Sequence, residues 1–179
     1  MQANISQAVS YILEDEGPEI NDSPSEPGHI SVYGLSLTYM KEIFPSTTFD
    51  DVKAMTAARA SEIYGTIVAP TIRFNDLPSG VDYRLLDIRV NLGLTGGIMA
   101  LELALGRFPV LGVLTDDLIG ATHGMVPQAL VAALSAVWIT KKHESPNWKP
   151  SIVTMNGYGH GWSNRNIRAT ARALAMIGA

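Results

Sequence analysis

Apolar residues recur at helical spacing along most of the chain, and turn residues separate the periodic segments. The first segment runs from about Asn4 to Glu16 and ends at Gly17-Pro18, because proline cannot continue the backbone hydrogen-bond ladder. Cap residues and apolar stripes predict further helices at residues 36–44, 48 onward, 56–70, 81–93, 95–105, 127–142 and 164–177. The run from His29 to Leu35 favours a small hairpin element. The pattern therefore predicts a mainly α fold with at most a small β element.

The composition is typical of one ordinary globular domain, with 179 residues, 46% hydrophobic and 17% charged. The net charge of -4 argues against a nucleic-acid partner, which would require a basic surface. The most apolar stretch, Val126 to Ile139, is shorter than the roughly 20 residues that span a bilayer, so no stable membrane insertion is expected. The N-terminal segment has neither a basic region nor a continuous apolar run, so no secretion signal is visible.

The residue types that are missing narrow the chemistry further. The chain has no cysteine, which excludes disulfides, thiolate metal sites and cysteine nucleophiles. Its four histidines lack the spacing of a zinc site, which argues against a zinc amidase. No G-x-S-x-G turn supports a serine nucleophile. We therefore expect no metal and no cofactor.

The segment from Glu16 to Ser36 carries the most informative chemistry. Glu16 ends the first predicted helix, a polar loop with Asp22 and Glu26 follows, and Ser31 and Tyr33 lie on the predicted hairpin. Glycoside hydrolysis requires an acid that protonates the leaving oxygen, and a second group that activates water or stabilises the transition state. Glu16 is placed for the first role and Glu26 for the second, and the Ser31 hydroxyl can orient water. The spacing alone is a weak signal, because glutamates at helix ends are usually solvated surface residues.

The same segment resembles the N-terminal motif of the N-acetylmuramidase and secretion-activator family, glycoside hydrolase family 108. The positions that match the family pattern as they stand are Glu16, Gly17, Asn21, Asp22, Pro27, Gly28, Tyr33 and Gly34. The resemblance implies that Glu16 is the catalytic acid, that Glu26 takes the acidic loop position, and that Ser31 takes the place of a threonine. Departures at Pro18-Glu19, Glu26 and His29 leave Asp22 open as the alternative second carboxylate.

Later segments resemble the family in the same order along the chain. They are residues 62–64, 76–78, 86–93, 100–106, 112–122 and 161–165. The resemblance implies a catalytic part at residues 1–75 and a helical peptidoglycan-binding part at 76–179, packed as one compact lysozyme-like unit. Asp87 and Asn91 lie one turn apart on a predicted helix, where they can line a cleft or satisfy each other. With Asp22 and Tyr33, they are the substrate-binding candidates.

The resemblance implies an N-acetylmuramidase of the phage-endolysin type that cuts the β-1,4 bond between N-acetylmuramic acid and N-acetylglucosamine. A loop-borne second carboxylate leaves room for water, which favours inversion. The expected partner is bacterial peptidoglycan and the expected state is a monomer, made in the host cytoplasm and acting in the periplasm after holin-type release. A bacterial muramidase used in secretion stays open. The alternatives are a non-catalytic peptidoglycan-binding protein on the same fold, and a helical structural or regulatory protein without wall affinity.

Overall fold

The computed structural model describes residues 2–22, 30–109, 112–144 and 158–178, which are mainly α-helical. The α-helices are α1 (Gln2–Glu16), α2 (Leu37–Ile43), α3 (Phe49–Lys53), α4 (Ala57–Ile63), α5 (Val81–Ala104), α6 (Asp116–His123), α7 (Pro127–His143) and α8 (Tyr158–Ile177). The strands β1 (Ser31–Val32) and β2 (Leu35–Ser36) form a two-stranded antiparallel sheet. The predicted mainly α fold with a small β element is therefore confirmed.

The chain divides into two compact units. The first unit, Ile5–Ala69, contains most of α1, the hairpin, and α2 to α4, while Met1–Asn4 and Pro70–Ala179 form the second unit, which contains α5 to α8. The sequence predicts the division between residues 75 and 76, slightly farther along the chain than the observed boundary between Ala69 and Pro70. The roles assigned there to the two parts stay predictions.

Side-chain caps start three helices of the first unit. The Ser36 hydroxyl accepts a hydrogen bond from the backbone N–H three residues later, and Thr56 does the same at the start of α4. At Thr48 the cap is reciprocal, because the Asp51 carboxylate also accepts from the Thr48 backbone N–H at 2.8 Å. The hydrogen bonds from Thr48 hold the pKa of Asp51 below its ordinary value. The three helix starts predicted from the sequence are confirmed.

The helix predicted at residues 56–70 changes its winding along its length. The α-helical part, α4, ends at Ile63, a π-helical turn follows at Tyr64–Val68, and a 3₁₀ turn covers Ala69–Ile72. Pro70 supplies a physical reason, because its ring clashes with the carbonyl four residues earlier and it has no N–H to donate. The prediction of one uniform helix is therefore wrong over its second half.

The second unit is built on α5, which packs against α7 and α8. Nine successive residues of α5, Val81 to Arg89, are buried, so the helix is enclosed on all sides over that stretch. Gly93 interrupts α5 with φ 75° and ψ 175°, at the position where the sequence separates two helices. Within the described residues no single helix is long and apolar enough to cross a membrane; α6 and α7, bent by 119°, meet that requirement only as a pair.

Two other helix assignments differ from the sequence. Residues 116–123 form α6, whose start is capped by the Thr115 hydroxyl, whereas no helix is predicted there from the sequence. Helix α8 begins at Tyr158, six residues before the predicted start at Asn164. Apolar periodicity identifies helices from sequence only over longer segments, and α6 has just eight residues. The first turn of α8 is rich in glycine, so it shows no apolar periodicity either.

Candidate active site

Glu16 continues the buried stripe of α1 at the last residue of the helix. Ala8, Val9 and Ile12 on that helix are buried, and Glu16 lies four residues after Ile12, on the same face one turn later. The helix ends because Gly17 adopts φ 70°, and its N–H donates to the carbonyl of Leu13 at 3.0 Å. The result is a half-buried carboxylate that the helix holds at its C-terminal end.

The turn of the hairpin lies next to the Glu16 carboxylate. The strands pair Ser31 with Ser36 and Val32 with Leu35, so a two-residue turn, Tyr33-Gly34, joins them. Both turn residues have positive φ, 52° and 73°, as a type I′ turn requires. The Tyr33 N–H donates to the carbonyl of Gly17 at 3.1 Å, which ties the turn to the end of α1.

The contact between Glu16 and Gly34 leaves no room for a larger residue in the turn. A Cβ atom placed on Gly34 would lie 2.6 Å from Oε2 of Glu16 and 2.8 Å from its Cδ. The carboxylate therefore lies directly against the Gly34 backbone. The positive φ favours glycine at this position, and a Cβ atom there would force the Glu16 carboxylate to move.

The structure brings two further candidates to the same hairpin. Asn21 and Ser31 exchange two backbone hydrogen bonds of 2.9 Å, which fixes the loop strand beside β1. Asp22 follows that bridge and is exposed, while Ser31 is half-buried. Glu26 belongs to the segment 23–29, which lies outside the described residues. Glu16, Asp22, Ser31 and Tyr33 thus belong to one substructure, and the catalytic and binding roles assigned to them stay predictions.

Asp87 and Asn91 occupy a different setting, in the second unit. Asp87 is fully buried, and its Oδ1 accepts from Nε and Nη2 of Arg165 at 3.0 and 2.8 Å. Its Oδ2 accepts from Arg84, which is also fully buried. The Asn91 side chain donates to the Asp87 backbone carbonyl at 2.9 Å. Asn91 and Asp87 thus share one hydrogen bond, which is one of the two possibilities that the sequence allowed. A substrate would reach the Asp87 carboxylate only by displacing an arginine.

The second unit encloses further polar groups around Arg84. Its Nε donates to the Ser135 hydroxyl at 3.0 Å, a second nitrogen donates to the Asn166 side-chain oxygen, and its guanidinium lies 5.7 Å from the Trp138 ring. Burial lowers the pKa of Arg84, and the attraction of Asp87 opposes that shift. Arg84 was not identified from the sequence, although its i,i+3 spacing from Asp87 on α5 is compatible with an ion pair. The partners of this pair on α7 and α8 lie far along the chain.

The first unit also holds an open cleft of about 480 Å³ between α2, α3 and α4. Its walls combine apolar residues such as Met40 and Met55 with the charged residues Asp51 and Arg59. The Arg59 guanidinium lies 5.1 Å from the Phe44 ring. This cleft could not be predicted from the sequence, because its walls come from three short helices. Over the part of the chain that the structure describes, no group of three or more His, Asp or Glu side chains is placed to hold a metal ion.

The fold as a whole is shared with a solved structure described as "Structure of Brucella abortus SagA". The alignment covers 99% of this chain and 97% of that chain, with a TM-score of 0.85 and 24% sequence identity. The likeness shows that the two chains have the same fold. No curated protein matches the sequence.

A family comparison gives a match over part of the chain. Residues 9–93 match the model of the family described as Glycosyl hydrolase 108. The matched range contains the end of α1, the hairpin, and the buried half of α5 up to its break at Gly93. Glu16 lies within the range that is similar to this family.

Proposed function

We propose that the protein is a peptidoglycan hydrolase, an N-acetylmuramidase that cleaves the β-1,4 bond between N-acetylmuramic acid and N-acetylglucosamine. The observation that carries the proposal is the position of Glu16. It is a half-buried carboxylate at the end of α1, seated against Gly34, within the range that matches the glycosyl hydrolase 108 model. A hydrolase of this class needs one fixed acid beside the scissile bond.

In the proposed mechanism Glu16 protonates the leaving glycosidic oxygen. The carboxyl group lies at the helix end against the Gly34 turn, which favours one orientation of the proton donor before the substrate arrives. Ser31 lies on the adjoining strand, where its hydroxyl can orient the attacking water. The second carboxylate is Glu26, or alternatively Asp22, which follows the bridge between Asn21 and Ser31.

The test is digestion of purified Gram-negative sacculi, followed by borohydride reduction and mass spectrometry of the released muropeptides. A muramidase leaves N-acetylmuramic acid at the reducing end, so reduced muramic acid is the expected product. Reduced glucosamine ends would identify a glucosaminidase instead. Binding to sacculi without release would identify a non-catalytic wall-binding protein, and neither binding nor release would remove peptidoglycan as the substrate.

Replacing Gly34 with alanine is expected to lower this activity at least about tenfold. Displacing a catalytic group by 1 Å can lower the rate by as much as 10²-fold. The new methyl group would occupy the space of the Glu16 carboxylate. The left-handed backbone at φ 73° would also cost about 1–2 kcal/mol of stability. Initial rates of muropeptide release and denaturant unfolding measure the two effects.

Gly106→Ala is the matched control for that substitution. Gly106 has nearly the same φ, 70°, but a Cβ atom there would meet no atom within 4 Å. It should therefore lose similar stability and keep its activity. Equal activity losses in the two variants would show that backbone strain, and not displacement of Glu16, explains the result at Gly34.

A further inference from the structure

A buried tyrosine outside the predicted site is joined to the turn that holds Glu16. The Tyr64 hydroxyl donates a hydrogen bond of 2.8 Å to the backbone carbonyl of Tyr33, 31 residues earlier in the chain. Tyr64 is 2% exposed, whereas Gly34, the next residue of the turn, is exposed. The hydrogen bond therefore connects the core of the first unit to the surface turn at the acid.

The turn needs such an anchor because its backbone is unfavourable. Tyr33 has φ 52°, a left-handed conformation that residues with a side chain rarely adopt. Such conformations persist where the surroundings over-determine them. At Tyr33 both polar backbone groups are engaged, the N–H with Gly17 and the carbonyl with Tyr64. The first bond holds the turn to α1 and the second holds it to the core.

The backbone of Tyr64 is itself specialised. Tyr64 opens the π-helical turn Tyr64–Val68, and its carbonyl accepts from the N–H of Ala69, five residues later. Its neighbours Ile63 and Val68 are fully buried, so packing holds the segment in place. A single π-helical turn within a helix shifts the direction of its side chains and is frequent at functional sites. Here it accompanies a hydroxyl that is directed at the carbonyl of Tyr33.

We propose that Tyr64 is a positioning residue for Glu16. Its hydroxyl fixes the Tyr33 carbonyl, the fixed turn presents Gly34, and the Glu16 carboxylate lies against Gly34. The inference rests on the proposed function, since it assigns Tyr64 to the same reaction. Tyr64 acts through the turn and does not touch the glycan.

Tyr64→Phe removes only the hydroxyl and keeps the buried ring. We expect kcat for muropeptide release to fall by about 10- to 100-fold, as for a catalytic group displaced by up to 1 Å, with KM nearly unchanged. The melting temperature should fall by only about 4–8 °C, the usual effect of losing one ordinary hydrogen bond in a unit of this size. The Tyr33 amide should exchange its hydrogen about fivefold faster, which corresponds to the loss of one ordinary hydrogen bond. Tyr83→Phe, the same change at a buried tyrosine of the second unit, should leave kcat and the Tyr33 exchange unchanged.

A double variant separates positioning from general destabilisation. If Tyr64 acts through Glu16, then Tyr64→Phe should have no further effect on kcat in a Glu16→Gln background, because the group it positions is gone. Additive losses in the double variant would overturn the proposal, as would a Tyr64→Phe variant with parental kcat.

The exchange measurement distinguishes this inference from the proposed function. A parent protein that releases no muropeptides contradicts the function. The anchoring by Tyr64 is then decided by the exchange rate of the Tyr33 amide and by the NMR signal of the Glu16 side-chain carboxyl. If both are unchanged in Tyr64→Phe, the hydroxyl does not position Glu16.

Discussion

Replacing Glu16 with glutamine is expected to lower kcat for muropeptide release by about 10²- to 10⁴-fold, the usual contribution of a general acid. Glutamine has the shape of the carboxylic acid, so the close approach to Gly34 is preserved. It has no acidic proton, so the leaving glycosidic oxygen must depart without protonation. Binding to sacculi should stay near the parental level, because the contacts to the glycan are unchanged.

Initial rates on purified sacculi measure the effect, and a co-sedimentation assay measures the binding. Glu14→Gln is the matched control, because Glu14 lies on the same helix but is exposed and two residues away, on another face. It should keep the parental rate. A Glu16→Gln variant that retains more than about one tenth of the parental kcat would remove Glu16 as the acid, and Asp22 would be the next carboxylate to replace.

The parts of the fold that the sequence predicts well are set by local chemistry. The caps at Ser36, Thr48 and Thr56 act within three residues, so the sequence shows both partners of each hydrogen bond. The break at Gly93 is also local, since only the glycine backbone adopts its φ and ψ readily. Glu16 belongs to this group as well, because the apolar stripe of α1 and the Gly17-Pro18 stop define its position at the helix end.

The features that sequence reasoning did not find depend on distant partners. Tyr64 lies within a segment that resembles the family, but its role depends on a carbonyl 31 residues away. Asp87 is polar and one turn from Asn91, so the sequence allowed either a cleft position or a contact between the two residues. Its burial follows instead from Arg165, 78 residues later, and α8 must pack on α5 before that partner exists. A charge pattern on one helix cannot reveal a neutralising charge on another.

Asp87→Asn is expected to destabilise the second unit by about 3–5 kcal/mol, as removing one partner of a buried ion pair typically does. The substitution leaves Arg84 fully buried without its carboxylate, next to the guanidinium of Arg165. Burial already lowers the pKa of Arg84, and the attraction of Asp87 is the largest opposing cause. For a unit of this size, a loss of 3–5 kcal/mol corresponds to roughly 10–20 °C in melting temperature.

Tryptophan fluorescence in a guanidinium titration follows this unit selectively, because all three tryptophans lie between residues 138 and 162. Glu144→Gln is the control. It breaks another pair with the same i,i+3 spacing, Lys141–Glu144, whose side chains are 42% and 58% exposed, and it should cost less than about 0.5 kcal/mol. A comparably small effect of Asp87→Asn would show that the buried pair contributes little to the fold.

The same variant decides between the two roles open to Asp87. If the carboxylate stabilises the packing of α5 with α8, Asp87→Asn loses stability, and at temperatures where it stays folded it binds sacculi like the parent. If the carboxylate binds substrate, the variant loses sacculus binding while its unfolding midpoint stays near the parental value. The geometry favours the first result, because both carboxylate oxygens already accept hydrogen bonds from buried arginines. The second result would require Arg84 or Arg165 to release Asp87 when the glycan binds.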